Sequence, residues 1–140
     1  MTRNNELYAY FTIVGEFNPQ EISARLGIEP TKSWAKGDLH PLSGSERKFS
    51  RWSLYSRLER VRPFEEHIRD VIGQLRSNAS GFRSISQEFG GAMEVVGYFH
   101  AQYPGLSLEK EDIDALAEFG LSVDFDYYYM YSDRREDTDS

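Results

Sequence analysis

Three features of the sequence predict an α+β domain with a mostly antiparallel sheet and helices packed on one face. Long stretches alternate apolar and polar residues, segments of helical periodicity separate them, and glycine or proline marks most boundaries. Alternation gives each strand one dry and one wet face, and a layer of helices on one side is the simplest cover for the dry one. The order along the chain reads β-α-(β)-β-α-(α)-β-α-β, which suggests a ferredoxin-like core with an added helix and strand.

The first strand runs from Leu7 to Gly15, with Leu7, Ala9, Phe11 and Ile13 on one face and Tyr8, Tyr10 and Thr12 on the other. Asn18-Pro19 then reads as a helix N-cap followed by proline at the first helical position. Ile22 and Leu26 make a short apolar stripe, Gly27 supplies a left-handed C-terminal cap, and Pro30 keeps the helix from resuming. A short strand fits Ser33 to Lys36, and turn residues dominate up to residue 48. Phe49 to Leu58 reads as a second full strand, with Trp52 and Leu54 sharing one face and Phe49, Arg51, Ser53 and Tyr55 the other.

Pro63 opens the strongest helix, where Phe64, Ile68, Val71, Ile72 and Leu75 recur at helical spacing. Phe82, Ile85 and Phe89 fit a shorter helix that Gly90-Gly91 ends. Ala92 to Ala101 is a third long strand. Ser107 is placed to cap a helix carrying Ile113, Leu116 and Ala117, with Glu109, Glu111 and Asp112 near its positive end. Gly120 stops that helix, and Leu121 to Tyr131 forms the last strand, with Val123, Phe125, Tyr127 and Tyr129 on one face. The expectation is one domain over 1–131, followed by an acidic, disordered tail over 132–140.

Composition narrows the function classes. A chain of 140 residues with 39% hydrophobic content has enough apolar material for a core without staples. There is no cysteine, so disulfides, thiolate metal sites and cysteine nucleophiles are excluded. The first residues lack the apolar run of a secretory signal, and no stretch approaches a membrane span, so a cytoplasmic location is expected. The net charge of −7 argues against nucleic-acid binding, which needs a basic footprint. That average hides a split: residues 32–62 hold eight Lys/Arg against three Asp/Glu, and residues 88–140 hold three against thirteen. Either the two segments pair with each other in the fold, or they form separate basic and acidic surfaces.

Four groups of residues are candidates for chemistry. Tyr8, Tyr10, Trp52, Tyr98, His100, Asp124, Asp126 and Tyr128 fall on faces opposite the most apolar ones. On neighbouring strands they would make an aromatic platform beside carboxylates, suited to a planar ligand or a protein partner, or simply a solvated sheet face. Asp124 and Asp126 alternate and so point the same way, which would let them share a proton, hold a hard cation, or act with His100. Trp34, Lys36 and Asp38 sit at a strand end and turn; they form either an anion-gripping rim or an ordinary turn with Asp38 bonded to its own backbone. His67 borders the apolar stripe of the long helix, where a half-buried structural histidine is the simpler reading. The chain has no Gly-x-Ser-x-Gly elbow, phosphate-cradling loop or His-Glu-x-x-His, so no catalytic residue, metal site or cofactor is assigned.

The segment Leu26-Gly27-Ile28-Glu29-Pro30-Thr31-Lys32-Ser33-Trp34-Ala35-Lys36-Gly37-Asp38 is distinctive, as are Trp52-Ser53-Leu54, Glu65-Glu66-His67-Ile68, and the helix-Gly-strand unit from Ile113 to Asp126. In that order they resemble the bacterial domain-of-unknown-function family 4279 over about residues 7–130. The resemblance implies a one-domain bacterial protein and carries no activity with it. The expected function is a non-enzymatic binding module for a protein partner or small ligand. In its specific form it is an immunity-type protein that neutralises a basic partner. The alternatives are a small hydrolase or transferase using Asp124, Asp126 and His100, and a homodimer through the aromatic face.

Overall fold

The computed structural model describes residues 3–130, so the acidic tail expected over 132–140 lies outside the described residues. Nine elements follow in order: β1 (Glu6–Gly15), α1 (Pro19–Leu26), β2 (Lys32–Trp34), β3 (Ser50–Tyr55), α2 (Phe64–Arg76), α3 (Ala79–Phe89), β4 (Ala92–Phe99), α4 (Lys110–Glu118) and β5 (Ser122–Tyr129). The strands form one sheet in the order β2-β3-β1-β4-β5. β1 lies antiparallel to both β3 and β4, β2 is antiparallel to β3, and β5 alone runs parallel to its neighbour, β4. The unit β1-α1-β2-β3-α2-β4 with strand order β2-β3-β1-β4 is the ferredoxin-like arrangement. α3 is the added helix, and α4 is the crossover that the parallel strand β5 requires.

The apolar face of the sheet and the helices share one core. Leu7, Ala9, Phe11 and Ile13 of β1 meet Trp52 and Leu54 of β3 and Met93, Val95 and Phe99 of β4, and Ile68, Val71, Leu75, Phe82 and Ile85 close over them from α2 and α3. Each such large side chain contributes roughly 1.5–3 kcal/mol by leaving water. Phe82 packs edge-on to Phe11 at 5.3 Å and against Trp52 at 6.1 Å, so α3 is part of the core and not a surface appendage. Gly97 makes room for α2: a Cβ there would stand 2.5 Å from the ring of Phe99 and 2.9 Å from that of Phe64.

Caps fix the helix ends. Asn18 accepts the Gln20 N–H at the start of α1, and Gly27 ends it with φ 70°, a conformation that costs glycine little. Asn78 serves two helices at once: its amide NH₂ donates to the Leu26 carbonyl at the end of α1, and its oxygen accepts the Gly81 N–H at the start of α3. The last helix differs from expectation. Ser107 does not cap it; its N–H donates to Glu65 Oε2, and α4 begins at Lys110. Asp112 accepts the Glu109 N–H at 2.9 Å and is gripped by both arms of Arg69 from α2, so the carboxylate wins the capping role and ties α4 to the bundle. Arg69 holds the Asp112 carboxyl below its ordinary value.

Two strands are shorter at their ends than the alternation suggests. β3 stops at Tyr55: Ser56 still donates to the Ala9 carbonyl of β1, but the Ala9 N–H goes to the Ser56 hydroxyl, and the Arg57 N–H turns away to Asp70 on α2. β4 stops at Phe99, where the His100 and Ala101 N–H groups go to the Asn5 side chain instead of a ladder.

Candidate functional site

The face of the sheet opposite the helices is uncovered, and the strand registers decide which of its side chains meet. Tyr10 stands opposite Tyr55 on β3 and Glu94 on β4, and Glu94 in turn stands opposite Asp124 on β5. The next rank brings Tyr8, Val96 and Asp126 into line, and the one after it Glu6, Tyr98 and Tyr128. Trp34 and Lys32 extend the same face onto β2, opposite Arg51 and Ser53.

Two tyrosine stacks result. Tyr10 and Tyr55 lie 4.4 Å apart with rings 6° from parallel, and Tyr8 stacks on Tyr55 at 5.7 Å. Cations flank this stack, with the Arg60 guanidinium 4.2 Å over Tyr8 and Lys32 at 5.6 Å from Tyr55. Burial pushes the Tyr8, Tyr10 and Tyr55 hydroxyls above their ordinary range, so they remain neutral donors. The second stack, Tyr98 on Tyr128 at 4.8 Å, stands on the β5 side.

Beside both stacks, on β4 and β5, lies a carboxylate cluster of Glu94, Asp124 and Asp126. Burial, then the neighbouring Asp124, push the Glu94 carboxyl up to about 7 against the pull of Arg51. The raised carboxyl can keep its proton toward neutral pH and donate it to Asp124. Asp126 hydrogen-bonds the Tyr128 hydroxyl and raises its pKa.

Trp52 was expected on this platform and is not there. It is fully buried on the helix side, and its indole N–H donates to Ser23 Oγ at 3.0 Å. Strand alternation places it beside Leu54, and a polar partner for the indole makes full burial inexpensive. His100 lies on the open face but apart from the aspartates. Its Nε2 is 3.2 Å from Glu6 Oε2, and it follows β4 four residues after Val96, the partner of Asp126, a distance of roughly 13 Å along a strand. The convergence of Asp124, Asp126 and His100 that an acid–base reaction would use does not occur. Among the described residues, no group of three or more His, Cys, Asp or Glu side chains is placed to hold a metal ion.

Trp34, Lys36 and Asp38 line a cleft of about 720 Å³ between β2 and the start of α1. The charges in the cleft find partners within the chain. Lys36 is 2.6 Å from Glu16, Asp38 accepts the Ala35 N–H within its own turn, and Glu29 adds a further carboxylate to the lining. Trp34 is instead the shelf for Arg47, whose guanidinium lies 3.7 Å above its ring. His67 is more deeply buried than expected, with Nδ1 2.7 Å from Ser56 Oγ, and burial lowers its pKa.

The charge split is not settled by pairing between the two segments. Among the described residues, Lys36 bridges Glu16, Arg57 bridges Asp70 and Arg62 bridges Glu66, while Glu88 takes Arg25, Asp112 takes Arg69 and Glu118 takes Arg76 and Arg83. Basic and acidic segments each find partners elsewhere, and the open face keeps a basic half on β2–β3 and an acidic half on β4–β5. Glu94, Arg51, Tyr55 and Arg60 complete this face; none was singled out in the sequence, although alternation already set Arg51 and Tyr55 opposite Trp52 and Leu54. Alternation places Glu94 with Tyr98, but only the parallel β4–β5 register reveals its contact with Asp124.

A family model described as a domain of unknown function (DUF4279) matches residues 5–130, and the chain belongs to that family. No curated protein and no solved structure matches the chain. No helix among the described residues is long and apolar enough to cross a membrane.

Proposed function

We propose that the chain is a non-enzymatic binding module whose open sheet face engages a basic protein partner. The observation that carries this reading is the cluster Glu94, Asp124 and Asp126, which stands beside two tyrosine stacks and forms no ion pair with a Lys or Arg of the described residues. Neutral tyrosines supply rigid amphipathic contact area, and the carboxylates supply attraction and register for cations. An acidic face also accelerates encounter with a basic partner, which suits the immunity-type role of neutralising such a protein. A hydrolase or transferase is disfavoured by the separation of His100 from the aspartates. A homodimer through this face would set carboxylate row against carboxylate row unless the acidic half met the basic half.

Capture of a basic partner by the immobilised chain, at low and high salt, tests the proposal. Binding is expected to weaken at least tenfold between about 50 and 200 mM salt and to be lost in the double variant Asp124→Lys/Asp126→Lys. Recovery of no basic partner at low salt, or capture indifferent to the double variant, overturns it.

A further inference from the structure

We infer that β5 is the edge on which an extended basic segment of the partner adds as a sixth strand. The inference rests on the binding reading above and specifies its mode. β5 ends the sheet, pairing with β4 and with no strand on its far side among the described residues. It is eight residues long, and side chains on both of its faces are open, with Phe125 54% and Tyr128 42% exposed. Sheet edges of this length are usually blunted by lysine, proline, a bulge or a covering element. The opposite edge follows that rule: β2 has three residues, begins at Lys32 shortly after Pro30, and is overhung by Arg47. Among the described residues, β5 carries none of these devices; its charges are Asp124 and Asp126, which repel an acidic strand and attract a basic one.

The two faces of β5 specify the added strand. On the helix side, Tyr103, Leu106 and Leu108 join Phe125 and Tyr127 around a shallow apolar depression of about 520 Å³. On the open side, Asp124 and Asp126 stand at alternate positions beside Glu94. An incoming strand therefore finds an apolar wall on one face and carboxylates on the other. Its complement alternates apolar residues with lysine or arginine, and main-chain hydrogen bonds along the edge supply sequence-independent affinity. A second copy of the chain is a poor occupant, because its own β5 would bring aspartates toward aspartates and its β2 offers only three residues.

The test uses the full-length chain, isotope-labelled for amide NMR at low salt. It is titrated with a peptide containing Lys-Val-Lys-Leu-Lys-Val and with a control of the same composition in blocks, Lys-Lys-Lys-Val-Leu-Val. The alternating peptide is expected to shift the β5 amides and to bind at least about tenfold tighter than the control, a difference worth about 1.4 kcal/mol. Asp124→Asn/Asp126→Asn and Phe125→Lys, both at exposed positions and checked for unchanged melting, should each weaken it about tenfold. Equal binding of the two peptides reduces the effect to charge attraction and overturns strand addition. So does a chain that doubles in mass by light scattering and reverts to monomer on Phe125→Lys, since a second copy then holds the edge. A chain that binds neither peptide but still captures a basic partner through Asp124 and Asp126 loses strand addition and keeps the open-face reading.

Discussion

The two faces of the sheet are built from the same strands and obey different rules. On the covered face, Phe11, Trp52, Met93 and Phe99 are fully buried and fix one packing arrangement with α2 and α3. On the open face, tyrosines stack on one another in line with a carboxylate row, and their contacts are lateral, between neighbours on the same surface. The first face converts sequence into stability. The second spends little stability and keeps polar chemistry available. Sharing a strand thus says nothing about sharing a role; the parity of the position does.

The contrast is sharpest at tryptophan and tyrosine. Trp52→Ala removes a side chain packed against Phe11 and Phe82 together with its hydrogen bond to Ser23, and should cost about 3–5 kcal/mol in denaturant unfolding. A loss below about 1 kcal/mol would place Trp52 outside the core and break the comparison.

Glu94 tests the open face through pH. Its folded pKa of about 7 lies above the unfolded value near 4.3, so the folded state binds more protons between these limits and stability falls as pH rises through them. Glu94→Gln should therefore stabilise the chain at pH 8 by on the order of 1 kcal/mol, reduced by solvent screening at this half-exposed site. It should change little at pH 4. Equal effects at both pH values would mean that its setting does not raise the Glu94 carboxyl. The smallest effect is expected at Tyr128, where truncation to alanine should alter stability by no more than about 0.5–1 kcal/mol, since only one stacked partner and an exposed hydrogen bond are lost.

The covered face was legible because its rule is local. Leu7, Ala9, Phe11 and Ile13 announce a buried strand face by period alone, and Phe64 through Leu75 announce α2 in the same way. The ferredoxin-like core followed from the alternation of elements, but the place of the added strand β5, parallel to β4 at the sheet's edge, did not. The open face was legible only in part. Tyr8, Tyr10, Asp124 and Asp126 could be placed on it, but their neighbours depend on register, which pairs Tyr10 with Tyr55 and Glu94 with Asp124 across long stretches of chain. Trp52 failed for a different reason: an indole suits a wet aromatic platform as well as a core, and its parity with Leu54 was the better guide. His100 failed because alternation gives a face and not a distance along it.

Asn78 carries a consequence for folding order. A single amide closes the last turn of α1 and opens the first turn of α3, joining positions 52 residues apart in the chain. Until Asn78 arrives, the Leu26 carbonyl has no protein partner at that end, so α1 gains its full stability only after β3 and α2 have been laid down. The first helix to be synthesised is thereby made to wait for the third, and hydrogen exchange should show the ends of the two opening together as one cooperative unit.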